Sequence, residues 1–156
     1  MVSDRSVTHA TLVLEHSYTA PPARVFDAWA DPVSKTRWFT GELDPAAAPM
    51  ELDFRVGGTE RVVSRAEGGQ LIVYEGIYRD IVPGERIIVS NWIDVDGRRI
   101  SVSQFTAEFQ SDGDGTRLTV TEQGAYLDGQ DTPDSRAVGI RAQLEALDVE
   151  LGGEAR

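Results

Sequence analysis

Between Tyr18 and Phe39 the chain sets two proline-started helical turns and four aromatics, Phe26, Trp29, Trp38 and Phe39, after one strand-like run and before a long series of others. Pro21 and Pro22 suit a helix's first turn, where proline's missing N–H costs nothing, and Asp31-Pro32 repeats the signal as N-cap and first helical residue. Pro32 limits the first helix and the turn-prone Thr40-Gly41 limits the second. Both helices are therefore short, and Val25, Phe26, Trp29, Trp38 and Phe39 form a compact apolar plug. A chain arranged this way wraps strands around a core or a ligand.

The 156 residues suffice for one domain, 1–156, with a structured core over about 7–151 and no need of disulfide or metal. The sequence has no cysteine, which removes thiol catalysis and thiolate metal sites and is compatible with a reducing cytoplasm. The apolar runs are too short for a membrane span and the N-terminus lacks a signal-peptide stretch, so a soluble cytoplasmic protein is expected. Net charge is −11, and the basic residues form no block. Nucleic acid and anionic membranes, which need clustered Lys and Arg, are excluded as partners. The acidity reads as a solvated surface, with an acidic face for a basic partner as the alternative.

Alternation of apolar and polar residues marks a first strand over Val7–Tyr18 and a second over Met50–Val56, with Asp44–Pro49 as a loop before it. Gly57-Gly58 permits a bulge into Thr59–Arg65. Turn chemistry at Glu67-Gly-Gly69, Pro83-Gly84, Asp96-Gly97 and Asp112–Gly115 delimits Leu71–Val82, Arg86–Val95, Ile100–Gln110 and a last strand to Gln123. Seven antiparallel strands result. The chain ends in a helix with Thr132 as N-cap, Pro133 first, Asp134 at the positive end of the dipole and Gly152-Gly153 as stop. Its apolar face, Ala137, Ile140, Leu144, Leu147 and Leu151, must lie on the sheet. Gly139 costs about 1 kcal/mol relative to alanine, so close approach or room for a ligand is the reason to look for.

Several motifs carry a family resemblance: Tyr18-Thr-Ala-Pro-Pro-Ala-Arg-Val-Phe26, Trp38-Phe39, Asp53-Phe-Arg-Val-Gly-Gly58, the run from Gly76 to Ile87, and Gly115–Thr121. In that order they resemble the START-like (SRPBCC, helix-grip) superfamily, in the branch named after the activator of heat-shock protein 90 ATPase homologue. The resemblance implies an α+β helix-grip fold. A seven-stranded curved antiparallel sheet wraps a long C-terminal helix, with two short helices between strands 1 and 2 and a cavity suited to small apolar ligands. Where relatives carry an aromatic after the last helix's glycine, this chain has Gly139-Ile140, which reshapes the cavity. The first strand begins almost at Met1, so the separate N-terminal domain of full-length chaperone activators is expected to be absent.

Register follows from the turns. Pairing Val82 with Glu85 sets Tyr78 opposite Val89, Gly76 opposite Asn91 and Tyr74 opposite Ile93. Pairing Ser111 with Thr116 sets Phe109 opposite Leu118, Ala107 opposite Val120 and Phe105 opposite Glu122. A three-residue Asp96–Arg98 loop joins both hairpins on one face, whereas a two-residue loop would flip them. The inward, ligand-binding set is then Trp38, Phe39, Phe54, Tyr74, Tyr78, Asn91, Phe105, Glu122, Ile140 and Leu144. Trp38 and Phe39 stand at the gate, and Val25, Phe26 and Trp29 are structural. Trp92 faces outward, where a protein partner could dock.

His9 and His16 share strand one, and if that strand pairs antiparallel with the last, as in the family, His16 lies several residue pairs from Glu122 and makes no acid–base pair with it. No nucleophile elbow, metalloprotease helix, phosphate loop or calcium loop is present. No metal and no cofactor are expected. The sequence therefore points to a binding protein for a small hydrophobic or aromatic ligand, as monomer or homodimer. The alternatives are a cyclase- or hydratase-type enzyme using Glu122 or Tyr78 as acid or base, and a chaperone-associated partner-binding protein.

Overall fold

A computed structural model describes residues 4–41 and 49–152. Asp44–Ala48 of the anticipated loop and Gly153 of the helix stop lie outside the described residues. The elements are β1 (Val7–Tyr18), α1 (Pro22–Ala30), α2 (Pro32–Lys35) continued by a π-helical turn (Thr36–Thr40), β2 (Glu51–Leu52), β3 (Thr59–Arg65), β4 (Leu71–Val82), β5 (Arg86–Val95), β6 (Arg98–Asp112), β7 (Gly115–Leu127) and α3 (Pro133–Glu150). The strands form one open, curved antiparallel sheet of seven, in the order β1-β7-β6-β5-β4-β3-β2. This is the helix-grip architecture expected from the sequence.

The helix signals act as read. Asp31 accepts a hydrogen bond from Ser34 N at 2.8 Å, Thr132 accepts one from Ser135 N at 3.1 Å, and Pro22, Pro32 and Pro133 occupy first-turn positions. Gly41, at φ 77°, ends the π-helical turn. Ile140, Leu144 and Leu147 of α3 are buried against the sheet, while Ala137 and Leu151 are only half-buried, so the apolar face is narrower than its periodicity suggests. The Tyr18 hydroxyl donates to Leu144 O at 2.8 Å, and His16 Nε2 meets Asp148 Oδ2 at 3.1 Å, which ties the helix to β1. Burial, reinforced by the Asp148 charge, pushes the Tyr18 phenol well above its ordinary pKa, so the hydroxyl stays a donor.

Four readings of the strands change. The second strand shrinks to Glu51–Leu52, because Arg55 N bonds Asp53 O at 2.9 Å and Gly58 N bonds Arg55 O at 2.8 Å, turning the chain out of the ladder. Val56 is accordingly 57% exposed. A Cβ at Gly58 would sit 2.1 Å from Asp53 O, so only glycine fits there.

The β4–β5 connection is one residue longer than expected, with Val82 opposite Arg86, but a bulge at Arg79 restores Tyr78–Val89, Gly76–Asn91 and Tyr74–Ile93. The β5–β6 turn is the two-residue Asp96-Gly97, both with positive φ, and a bulge at Ile100 restores Val89–Phe105 and Asn91–Ser103. Finally, β6 and β7 run longer than anticipated, to Asp112 and Leu127. Trp92 lies on the outer face with the Arg99 guanidinium 5.6 Å from its ring.

Candidate functional site

Three rows of paired residues cross the inner face of the sheet. One runs Tyr78, Val89, Phe105, Glu122 and Leu12; the next runs Glu60, Gly76, Asn91, Ser103, Gly124 and Ala10; the third runs Val62, Tyr74, Ile93, Ser101 and Tyr126. The outer two carry bulky side chains and the middle one is small or polar. Missing volume along that middle row leaves a hollow that α3 spans rather than fills. Side chains crowd the glycines: a Cβ on Gly76 would lie 2.8 Å from Val89 Cγ1, so something would have to shift, and one on Gly124 would lie 3.0 Å from the Tyr126 ring, which would have to give way slightly.

The hollow is a cavity of about 310 Å³ among β3–β7, the π-helical turn, Trp29 of α1 and the first turns of α3. Trp29, Phe39, Tyr74, Phe105, Ile93 and Ile140 supply most of its apolar wall, and exposed Thr40, Ser64 and Gly139 stand at its rim. Gln143 Nε2 donates to Phe39 O at 3.1 Å and closes the lip between the turn and α3. Nothing lies within 4 Å of a Cβ built on Gly139, so close packing does not demand that glycine and it leaves room at the rim. A larger groove of about 630 Å³ on the outer face beside His9 and Gln123 is shallow and gathers no converging charged groups.

Each end of the cavity holds a buried ion pair. At the β3 end Lys35 Nζ donates to Glu60 Oε2 at 2.6 Å, and the pair is only 2% and 1% exposed. The hydroxyls of Tyr74 and Tyr78 each donate to Glu60 at 2.5 Å, while the ammonium lies 5.1 to 5.8 Å from the rings of Phe39, Trp29 and Tyr78. Burial works to raise the Glu60 carboxyl. The Lys35 charge and the hydrogen bonds from Lys35, Tyr74 and Tyr78 outweigh it and hold the carboxyl below its ordinary 4.5. Burial, then the Glu60 charge, push both phenols well above their ordinary value.

At the β7 end Arg136 of α3 donates to Glu122, to Ser101 Oγ at 2.6 Å and to Asp131 Oδ2 at 2.7 Å. Burial works to lower the Arg136 guanidinium, but Glu122 and Asp131 raise it, so it stays charged.

Between these ends sits Asn91, 4% exposed and lining the cavity. Among the described residues its carboxamide makes no hydrogen bond to the protein. Trp29 Nε1 and Ser103 Oγ, the latter on the residue opposite Asn91, are likewise buried without a protein partner. Of these, Asn91 lines the cavity beside the Trp29 ring, whereas Trp29 Nε1 and Ser103 Oγ are sealed within the protein, where an unpaired polar group is costly.

The sequence profile of the Activator of Hsp90 ATPase homolog 1-like proteins matches residues 19–152. The chain belongs to the Activator of Hsp90 ATPase homolog 1-like family. A solved structure of a protein from Rhizobium leguminosarum is 40% identical, with a TM-score of 0.89 over 95% of this chain and 97% of that one. The Mll3558 protein from Rhizobium loti is 41% identical, with a TM-score of 0.85 over 93% and 99%. CalU16 from Micromonospora echinospora, 21% identical with a TM-score of 0.65 over 94% and 84%, shares the fold. A comparison with curated proteins gives no match.

In this Activator of Hsp90 ATPase homolog 1-like chain, Phe39, Tyr74, Asn91, Phe105, Glu122 and Ile140 come together on the cavity wall. Trp38, Phe54, Tyr78 and Leu144 do not. Trp38 is buried behind Trp29, its Nε1 donating to Ala28 O at 2.8 Å; Phe54 fills the space between Phe26 and Tyr78, and Leu144 is packed in the core. Trp29, read as structural, takes the wall position instead. Tyr78 is committed to Glu60 and Glu122 to Arg136, so neither candidate acid or base is unencumbered. His16 pairs with Leu118, and Glu122 with Leu12, so the two are apart on the sheet as expected.

Lys35, Glu60 and Arg136 escaped the sequence reading. Lys35 stands one helical turn before Phe39, and Glu60 alternates with Val62 and Ser64 toward the face that carries Gly76. Those spacings are the signals that could have found them.

Proposed function

We propose that the chain is a small-molecule binding protein whose cavity between sheet and α3 takes an aromatic or lipid-like ligand. The observation that carries this reading is Asn91, a buried, unpartnered carboxamide in the middle of an aromatic-lined cavity of about 310 Å³. A bound molecule would meet its donor and acceptor together, while the ring walls supply apolar area. A cyclase or hydratase needs a free acid or base in contact with substrate, and the cavity carboxylates are held in ion pairs, so binding is the reading the geometry favours.

Replacing Asn91 with leucine, which keeps the branching of the side chain, should separate stability from binding. The carboxamide opens on the cavity instead of being sealed in the protein, so the unfolding free energy of the unliganded protein should fall by no more than about 1 kcal/mol, measured by denaturant unfolding. Affinity for any compound found by thermal-shift screening of aromatic and lipid-like molecules should fall about tenfold or more in calorimetry. A larger loss of stability together with unchanged affinity would make Asn91 a structural residue and remove the main support for the site.

A further inference from the structure

Resting on the ligand-binding reading, we infer that the cavity selects an uncharged aromatic molecule with a carboxamide- or lactam-like edge and rejects the corresponding carboxylate. Both cations at the cavity are already committed. Lys35 is bonded to Glu60, and Arg136 is bonded to Glu122 and Asp131 at once, with both N–H groups of one guanidinium nitrogen spent on Ser101 and Asp131. On the cavity wall Lys35 and Arg136 are balanced by Glu60 and Glu122, and Asp131, behind Arg136 and off the wall, brings the cluster to −1 in a protein whose net charge is −11. An entering carboxylate would lose its water and find both cations already paired with carboxylates of the protein. The negative field reaches across the cavity: after burial and the effects of Glu60 and Tyr78, Glu122 also raises the Tyr74 phenol.

The group left to recognise a ligand is neutral. Asn91 presents its carbonyl acceptor and one N–H donor along a single planar edge, which matches another amide edge in a pair of hydrogen bonds. At roughly 30 Å³ per displaced water the cavity volume corresponds to about ten waters, the scale of a bicyclic ring with one polar substituent.

The test is calorimetry of the purified protein with matched pairs that differ only in charge, beginning with naphthamide and naphthoate of the same isomer. The amide is expected to bind about tenfold or more tightly than the acid. In Glu122→Gln and, separately, Asp131→Asn, each removing one negative charge, the gap should narrow by about tenfold while the amide's affinity changes less. Asp131 does not line the cavity, so that variant keeps the test valid if Glu122→Gln unfolds. Equal or tighter binding of the acid would overturn the selectivity and leave the binding site standing. Failure of both members of every pair to bind would overturn the binding reading as well.

Discussion

Lys35→Met is expected to destabilise the protein by about 3–5 kcal/mol, because it strands the Glu60 carboxylate in a site only 1% exposed. The two tyrosine hydroxyls would still donate to it, but they carry no charge to offset its desolvation. The double variant Lys35→Met, Glu60→Gln should recover most of the loss, since a neutral amide replaces the uncompensated charge. The pH dependence should invert. In the native protein Glu60 lies below its unfolded value of 4.5, so its contribution is complete above that pH and fades as pH falls through the lower folded value. Without Lys35, burial dominates and raises the carboxyl, so the variant's deficit should shrink on acidification. Urea unfolding at pH 7 and at successively lower pH measures both effects; a deficit independent of pH would show that Glu60 is not the group responsible.

Trp29→Ala should cost about 3–5 kcal/mol, the range for removing a large buried aromatic. The ring lies 4.7 Å from Trp38 and 5.9 Å from both Phe105 and Phe109, and its loss would join the cavity to the core behind it. Trp29→Phe keeps most of that packing and removes an Nε1–H that has no protein partner, so its stability should lie within about 1.5 kcal/mol of the native chain. Its affinity for an amide ligand should change little, because the sealed Nε1 does not open on the cavity. Stability of the two variants by thermal unfolding, and affinity by calorimetry, separate the packing role from the recognition role. Equal stability losses in both would place the importance of Trp29 in its N–H and contradict the packing account.

The sheet was legible because side-chain facing depends on parity, and the turn residues announced where each strand reversed. Two loop lengths were misread, yet each error was cancelled by a one-residue bulge, at Arg79 and at Ile100. Asn91, Phe105 and Glu122 therefore face the cavity as the alternation implied. Bulges leave no mark in a sequence when the inserted residue is an ordinary arginine or isoleucine.

The helical lip was less legible. Continuation of α2 as a π-helical turn changes the angular phase after Lys35, which carries Trp38 into the core and leaves the wall to Trp29 and Phe39. Charged residues default to solvent in any reading by pattern. The Lys35–Glu60 and Arg136–Glu122 pairs became visible only once separate elements were brought together.

The most direct measurement is a crystal structure of the protein with the tightest amide ligand from the matched series. The ligand should occupy the cavity between the sheet and α3, its rings against Trp29, Phe39 and Phe105 and its polar edge about 3 Å from the Asn91 carboxamide. A ligand bound only outside that cavity, or a cavity closed by its own Phe39 and Gln143 with nothing inside, would contradict the assignment.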